Sequence, residues 1–592
     1  MNLESKICQN CRNSFVIDAV DFQFYEKIQV PAPTWCPECR FRRRLNCRNE
    51  RTLYKRKCDL CQEEKILMFP SDTKFTVYCR ECWLSDRWDP AQYAMEYDFH
   101  KPFFEQFRGL FLKVPRLGKI QQGNILNSEY CNRVSDLKNC YLVFGSTDDE
   151  NCYYSSMAWG NREVIDCYNP QKCERSYQLI NCYNSSNLYY SQECHNCSDS
   201  YFLQNCRNCT SCFGCVNLRN KQYYIFNQPY SREEYLKELE KFNFGSRKTL
   251  NEIREKFRQL KAKYIVPAII ENRSNDVSGN WIEACKNVHQ GFATSEVEDG
   301  KYLFDVFQAK DVMDYSYWGK NSELIYESVN VGRQCSNVAF SNECWDELID
   351  SRYCSNCHSS SDLFGCVGLR KKQYCILNKQ YREEEYRKLV ESIKQQMDSL
   401  PYMDEKGRSY KFGEFFPPEI MPFGYNETTA QEYFPITKKE ALHQGFDWRE
   451  SGDKNYSITL KAEDIPDDIR ELNFDILKEV IGCRHKEECN HTCSGAFKVT
   501  EFELNFYKDF NIPLPNLCSN CRHFERSEEM TPMKLFSGHC NCLGEKSTGG
   551  IYQNQVNHFH GKEKCPNEFE TSYSPDQGKI VYCKECYQQE VA

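Results

Sequence analysis

The chain has 592 residues, a formal net charge of -9 and a pI of about 5.8, with 38 cysteines. At that length we expect about three to five folding units rather than one. The net negative charge excludes a chain that binds polyanions over its whole surface, so any nucleic-acid interface must be local.

The role of the cysteines depends on the compartment in which the protein resides. The N-terminal sequence MNLESKIC lacks the apolar core of a signal peptide, and no stretch reaches the roughly 18 apolar residues of a membrane span. We therefore predict a cytoplasmic protein that does not enter a membrane. Because thiols stay reduced in that compartment, clustered cysteines are expected to be metal ligands or small buried hydrophobic residues.

The segment 1–90 contains two consecutive four-cysteine patterns. In each, a Cys-x2-Cys pair is followed further along the chain by a second Cys-x2-Cys pair. Two such pairs complete the tetrahedron that structural zinc prefers, so the segment is predicted to be a tandem zinc-ribbon module. Its ligands are Cys8, Cys11, Cys36 and Cys39, then Cys58, Cys61, Cys79 and Cys82.

A basic stretch joins these two patterns. The sequence RFRRRLNCRNERTLYKRK has nine Lys or Arg and a single acidic residue. Such a patch can neutralise phosphates, with Phe41 and Tyr54 available to stack on bases. The alternatives are a solvated linker or docking on the protein's own acidic surface. The predicted nucleic-acid residues are Arg40, Arg42, Arg43, Arg44, Arg48, Arg51, Lys55, Arg56 and Lys57.

After a connector at 91–124, the segment 125–230 forms a cysteine-rich repeat. Cysteines recur at a fixed period of 15 and commonly follow Asn or Asp, which favours turns. We interpret each period as one rung of a β-solenoid whose stacked rungs form a cysteine ladder. The recurring residues are Cys152, Cys167, Cys182, Cys197 and Cys212.

The ladder has two interpretations. The segment from Cys194 to Cys215 contains six closely spaced cysteines, which could form a metal cluster. The column with a period of 15 explains two of them, Cys197 and Cys212, without any ligand, which favours a dry interior. Iron–sulfur ligation would need four thiolates at one point.

A second copy of the repeat follows. FGCVNLRNKQYYIFNQPYSREEY at 213 returns as FGCVGLRKKQYCILNKQYREEEY at 364. The predicted order is a helical connector at 231–300, a second array at 301–380 and a capping helix at 381–400. Ser231 and Glu234 form a capping box at the start of a helix expected over 231–262. A Pro- and aromatic-rich connector occupies 401–480.

The segment 481–592 repeats the N-terminal module. Eight residues of the first pattern, from Cys11 to Arg40, recur at a constant offset of 482. The predicted ligands of this third site are Cys489, Cys493, Cys518 and Cys521, with Cys483 as a substitute for Cys489. For the fourth site we predict Cys542, Cys565, Cys583 and Cys586, with Cys540, His558 and His560 as alternatives to Cys542.

The N-terminal segment SFVIDAVDFQFYEKIQVPAPTWCPECRFRRR resembles the zinc-ribbon, treble-clef-like domains of small bacterial proteins. With CPNEFETSY, VYCKECY and FGYNETTAQEYFP, the whole chain is similar to a family of multi-zinc-ribbon proteins from reduced-genome bacteria. Members sometimes carry an automatic CaiB/BaiF CoA-transferase label, which implies a large α/β enzyme with an aspartate nucleophile. The sequence has no long alternation of strands and helices, so we do not carry that label over.

Together these patterns predict a multidomain, mainly β protein. Four-cysteine zinc-ribbon or treble-clef modules at both termini flank two β-solenoid-like arrays with capping helices, and about four Zn²⁺ ions are bound. No phosphate-binding Gly loop, nucleophile elbow or HExxH motif occurs. We predict a non-enzymatic scaffold that contacts RNA, DNA or a ribonucleoprotein through the basic patch. The alternatives are a protein–protein adaptor built on the repeats and an enzyme of CoA-transferase or thiol-redox type.

Overall fold

A computed structural model describes residues 3–450, 452 and 456–591. It is mainly β, with a β-solenoid of about 21 turns between residues 121 and 376 and four-cysteine clusters near both termini. The predicted fold class is confirmed. Among the described residues, none of the helices combines the length and apolar character needed to cross a bilayer.

The first array of the solenoid repeats at a spacing of 12 in residue number, which is one turn. Parallel partners follow this spacing, as in the pairing of Glu174 with Ser186 and of Ser186 with Ser198. Every third residue has a positive φ, for example 56° at Asn151 and 55° at Tyr154. Each turn of this array therefore has four sides of three residues, with a left-handed corner between sides.

This register corrects the predicted rung length. A period of fifteen is one full turn plus one three-residue side, so cysteines at that spacing lie on successive sides. True stacking occurs between residues one turn apart, as in Cys182, Cys194 and Cys206, all fully buried. The recurrence of cysteine every 15 residues is therefore genuine, but that spacing equals one turn plus one side and is not the length of one turn.

The corners and the interior explain the recurring Asn-Cys pair. Asn tolerates the left-handed conformation better than most residues and occupies the corner, and the next residue points inward. Inward N–H groups bond to side chains of the preceding turn: Cys197 N donates to Ser185 Oγ at 3.1 Å, and Leu179 N to Cys167 Sγ at 3.2 Å. Because buried N–H groups need acceptors, Ser and Cys are favoured inside.

Two arrays make up the solenoid. The strands of the first are Gln121–Leu126, Asn132–Lys138, Phe144–Thr147, Arg162–Ile165, Glu174–Ile180, Ser186–Gln192, Ser198–Tyr201, Thr210–Phe213, Gln222–Ile225 and Gln228–Pro229. Those of the second are Glu271–Asn272, Asn275–Glu283, Lys286–Gly332, Ser336–Ala339, Asn342–Trp345, Ile349–Arg352, Ser361–Phe364, Gln373–Ile376 and Lys379–Gln380. The second array thus begins at Glu271, inside the segment predicted as a helical connector at 231–300.

Helices follow both arrays. Two helices, Arg232–Leu239 and Arg247–Lys261, replace the single helix expected over 231–262, and the predicted capping box of Ser231 and Glu234 is present. After the second array comes Glu383–Ser399. Phe257 and Tyr235 of the first pair pack in one apolar cluster with Phe202 and Phe213 of the array, so these helices cover the solenoid surface.

The remaining elements are short. Connecting helices are Phe103–Lys113, Thr429–Tyr433 and Lys438–His443, and connecting strands are Val77–Tyr78, Arg116–Leu117, Ile265–Pro267, Tyr402–Met403, Ser409–Tyr410 and Ile580–Tyr582. Short 3-10 helices are Pro90–Tyr93, Pro418–Ile420, Tyr425–Glu427, Ala462–Asp464, Ile469–Glu471, Phe474–Lys478, Thr548–Gly550 and Pro575–Gln577. The connector at 401–480 packs on the N-terminal end, where Glu414 accepts a hydrogen bond from Thr34 N at 3.1 Å.

Candidate metal centres

Four groups of four cysteine thiols lie near the ends of the chain. In each group the Sγ atoms are within 4.8 Å of one another. We call the surrounding segments modules 1 to 4, and we call each group of thiols a tetrad. The tetrads are Cys8, Cys11, Cys36 and Cys39; Cys58, Cys61, Cys79 and Cys82; Cys483, Cys493, Cys518 and Cys521; and Cys540, Cys565, Cys583 and Cys586.

All four modules have the same construction. The first ligand directly follows the first strand of an antiparallel hairpin, the second ligand lies three residues before the other strand, and the third immediately precedes a helix. The hairpins are Glu4–Ile7 with Ser14–Ile17, Tyr54–Lys57 with Glu64–Leu67, Ile481–Gly482 with Ala496–Phe497, and Phe536–His539 with Glu568–Thr571. The helices are Pro37–Leu45, Arg80–Leu84, Ser519–Glu528 and Lys584–Val591, and modules 1 and 3 each carry one more, Ala19–Ile28 and Glu501–Asp509.

The backbone of each module favours thiolates. The third cysteine donates its N–H to the Sγ of the first in every tetrad: Cys36 to Cys8 at 3.2 Å, Cys79 to Cys58 at 3.2 Å, Cys518 to Cys483 at 3.3 Å and Cys583 to Cys540 at 3.2 Å. The positive end of the helix dipole points the same way. Burial acts to raise the pKa of the Cys58 thiol, but backbone N–H groups of Cys61 and Cys79 outweigh it and lower that pKa to about 7.

The thiol spacing fits one metal ion in each tetrad. A tetrahedral centre with metal–sulfur bonds of about 2.3 Å has Sγ–Sγ edges of about 3.8 Å. The observed edges are 3.7 Å for Cys11 and Cys36, 4.0 Å for Cys61 and Cys79, 3.8 Å for Cys483 and Cys521, and 3.8 Å for Cys565 and Cys583. The donor set and the spacing are therefore those of a closed four-thiolate site.

The structure brings together the eight predicted N-terminal cysteines and six of the eight predicted C-terminal ones. It places Cys483 rather than Cys489 in the third tetrad, and Cys540 rather than Cys542 in the fourth. The reason is the hairpin, because Cys483 and Cys540 directly follow its first strand as Cys8 and Cys58 do. A usable sequence signal existed for Cys540, which lies at the offset of 482 from Cys58.

The two displaced cysteines have other neighbours. Cys489 Sγ lies 3.7 Å from Cys521 Sγ in a group with His485 and His491. Cys542 Sγ lies 3.5 Å from His558 Nδ1 and accepts a hydrogen bond from Asn554 Nδ2 at 3.2 Å. The extra residues of both C-terminal copies thus lie in the loop between the first and second ligands, where modules 1 and 2 have only the two residues of a Cys-x2-Cys pair.

The ladder cysteines are a separate population. All cysteines in the described part of the chain are free thiols, and those of the solenoid interior are buried. Burial raises the pKa of the Cys173 thiol to about 12. Metal binding by the run from Cys194 to Cys215 stays an alternative prediction, which a metal count addresses.

Most of the predicted basic patch is turned into the protein. Arg40, Arg43 and Arg44 are at most 1% exposed, and Arg48 and Arg56 are also buried. Arg43 contacts Glu327 at 2.5 Å and Glu414 at 3.3 Å, and Arg48 contacts Glu50 at 2.5 Å. Arg56 is paired with Asp59. The four remaining members are Arg42, paired with Glu38; Arg51, bonded to Ser156; Lys55, paired with Glu64; and the exposed Lys57.

Two of these arginines bind a corner of the second array. Arg40 Nε and Arg44 Nη1 each lie 2.8 Å from an oxygen of Asp314, a fully buried carboxylate at a left-handed corner. Arg40 also donates to Trp35 O at 2.6 Å. Burial alone would lower the pKa of Arg40, but the charge of Asp314 raises it above its ordinary value, so the guanidinium stays charged. We call such a contact of two arginines with one corner aspartate a clasp.

Module 3 makes the same clasp on the first array. Arg522 Nε lies 2.8 Å and Arg526 Nη1 3.1 Å from oxygens of Asp166, which is also buried at a left-handed corner. Arg522 donates to Leu517 O at 2.8 Å. Modules 1 and 3 therefore each dock on the array that belongs to the other half of the chain. Sequence reasoning missed both aspartates.

Comparison with known proteins adds little. No family model matches the chain, and no curated protein matches it significantly. One solved structure, of a protein assigned as an acetyltransferase from Desulfovibrio desulfuricans G20, is 8% identical and covers 49% of this chain and 85% of its own. Its TM-score is 0.10, so the likeness carries no argument about fold or function.

The fourth tetrad can be tested with two cysteine variants. Cys540→Ser should remove one metal ion per chain and unfold module 4, because structural zinc supplies about 10 to 16 kcal/mol of apparent binding energy in small modules. Cys542→Ser is the matched control and should leave the metal count unchanged. Elemental analysis measures the metal count, and limited proteolysis measures the unfolding of module 4. Loss of an ion in Cys542→Ser but not in Cys540→Ser would identify Cys542 rather than Cys540 as the fourth ligand.

The clasp can be tested by neutralising its carboxylate. Asp314→Asn removes the carboxylate charge that the buried Arg40 and Arg44 share, which should destabilise the docked state by about 3 to 5 kcal/mol. The shift of the denaturation midpoint reports this, and the metal count should stay unchanged because Asp314 is not a ligand. Glu298→Gln, in an exposed pair with Lys286, is the control. Equal midpoints for the two variants would contradict the clasp.

Proposed function

We propose that this chain is a non-enzymatic scaffold whose terminal modules are held together by structural zinc, one ion in each tetrad. The observation that carries this proposal is the geometry common to all four tetrads. Four thiolates fill the coordination of a zinc ion and leave no position for water or substrate, as in structural rather than catalytic sites. Apart from Cys11, Cys61 and Cys493, the tetrad thiols are buried.

Zinc supplies what these modules lack. A module of about 40 residues has too little interior to fold on apolar burial alone. With the ion bound, the start of each helix is fixed, and in modules 1 and 3 the same helix carries the clasp arginines. The metal therefore positions the charges that join the modules to the solenoid.

The buried arginines favour a partner surface other than the basic patch. Nucleic-acid binding at the patch would need those guanidinium groups in solvent, whereas their partners are carboxylates of the same chain. Lys55 and Lys57 are the exposed members. We therefore favour the adaptor alternative, in which a protein partner is bound.

One surface supports that alternative. The strand Gln121–Leu126 is the edge of its sheet, and it lines a groove of about 800 Å³ against the module 2 hairpin. Leu126 is 58% and Tyr130 42% exposed in this groove. An open strand edge can accept an extended segment through main-chain hydrogen bonds, with apolar side chains adding specificity. The proposed occupant is an extended segment of a partner protein.

The zinc proposal predicts a metal count. Full-length protein purified without chelator should carry at least about four zinc ions per chain, as expected for four closed thiolate sites. Chelation under reducing conditions should make both ends sensitive to protease while the solenoid stays resistant. A metal-free preparation with protected ends would refute the proposal, and iron in place of zinc would contradict the metal assigned to the tetrads.

The adaptor proposal predicts a local effect. Leu126→Glu combined with Tyr130→Glu should reduce partner recovery at least about tenfold, since it replaces two exposed apolar side chains of the groove by carboxylates, which an apolar side chain of the partner cannot compensate. Ile551→Glu, at a residue that is 59% exposed in module 4, is the matched control. Quantitative affinity purification from the source cells compares the three proteins. Unchanged recovery with the double variant would exclude this groove.

A further inference from the structure

Module 3 contains a second cluster of metal-ligand residues beside its tetrad. His485, Cys489 and His491 lie in the loop between the first and second ligands, and their donor atoms and Cys521 Sγ are all within 4.8 Å of one another. Cys521 belongs to both groups. Its Sγ is 3.8 Å from Cys483 in the tetrad and 3.7 Å from Cys489 in the loop, both tetrahedral edge lengths.

Two buried nitrogen atoms in this cluster lack hydrogen-bond partners among the described residues. They are Nδ1 of His485 and Nδ1 of His491. A buried polar atom without a partner costs about 1 to 3 kcal/mol, so two in one cluster of ligand residues require an explanation. A metal ion bound by both nitrogens would satisfy them.

The other nitrogen of each imidazole ring, Nε2, faces a carboxylate. Nε2 of His491 lies 3.0 Å from Glu528, and Nε2 of His485 lies 3.6 Å from Glu525. A carboxylate at the far nitrogen of a metal-binding imidazole fixes the ring and keeps the other nitrogen free as a ligand. Nδ1 is thus the nitrogen that each ring has available for a metal ion.

One face of the helix Ser519–Glu528 organises the whole arrangement. Cys521, Glu525 and Glu528 are spaced by four and three residues, so they lie along the same side of the helix. Beside them, Phe524 stacks on the His491 ring with centroids 5.4 Å apart. The helix therefore places a thiolate and two supporting carboxylates in line with the loop.

We propose that module 3 binds two metal ions that share the Cys521 thiolate. The first is the tetrad ion of the proposed function, on which this inference rests. The second is held by His485 Nδ1, Cys489 Sγ, His491 Nδ1 and Cys521 Sγ. A mixed nitrogen and sulfur donor set of four suits zinc.

Module 1 is the natural comparison. Its first two ligands, Cys8 and Cys11, are separated by two residues, which leaves no loop for further ligands. The positions at the offset of 482 before Glu525 and Glu528 are Arg43 and Asn46, which cannot support imidazole ligands as carboxylates do. The second ion is therefore specific to the C-terminal copy. The loop histidines are partly exposed, so this ion should exchange faster than the tetrad ions.

The test is a zinc count on the full chain. Wild-type protein should hold about five zinc ions, and the double variant His485→Ala/His491→Ala should hold about four. The variant should also lack the fast phase of zinc release to a colorimetric chelator, because that phase is expected to come from the second ion of module 3. The control is His100→Ala/His289→Ala, at an exposed and a half-exposed histidine outside the four tetrads and the loop cluster. Equal counts and release kinetics in the wild type and the loop variant would overturn the inference.

A milder variant covers the case in which the double alanine variant fails to fold. Glu525→Gln/Glu528→Gln keeps every ligand and should weaken the binding of one ion by about 10- to 100-fold, as loss of supporting carboxylates does elsewhere. Unchanged affinity of all ions would contradict the shared site. About four ions in both wild type and variants would remove this inference alone, whereas a metal-free wild type would remove the proposed function as well.

Discussion

The position of each module helix is the constraint on which the assembly depends. A tetrad fixes the first turn of the helix, and in modules 1 and 3 the next turns carry the arginines that reach a buried aspartate of the solenoid. Charges of this kind are costly to bury singly, and they are tolerated only when the geometry is held closely. A metal ion bound by the four thiolates at one end of a short, stiff helix, as proposed above, would provide that geometry.

The chain uses cysteine in two distinct ways, and local backbone decides which. A cysteine after a hairpin strand or before a helix has its sulfur aimed at three others. A cysteine after a left-handed corner has its sulfur inside the solenoid, where it accepts an N–H of the next turn and fills apolar space. The same residue type is thus a candidate metal ligand in one setting and a hydrogen-bonding core residue in the other.

Much of this could be predicted from the sequence, because the tetrads and repeats are local patterns. The module duplication, the solenoid and the capping box of Ser231 follow from spacing and composition alone. The partners of the basic patch could not be predicted, since Asp314 and Glu327 lie far along the chain in the second array and nothing local marks them. The rung length was missed because cysteine recurs at one turn plus one side, and Cys483 was ranked below Cys489 because only the strand that precedes it reveals its role.

The crossed docking of the two ends has a consequence for how the chain assembles. Each half supplies a solenoid array with a corner aspartate and a module with two arginines, but the order is module then array in the first half and array then module in the second. The clasp partners are therefore 270 to 360 residues apart along the chain. During synthesis the buried carboxylate of the first array has no arginine beside it until the C-terminal module has been made, so the end of the chain completes the part that was made first.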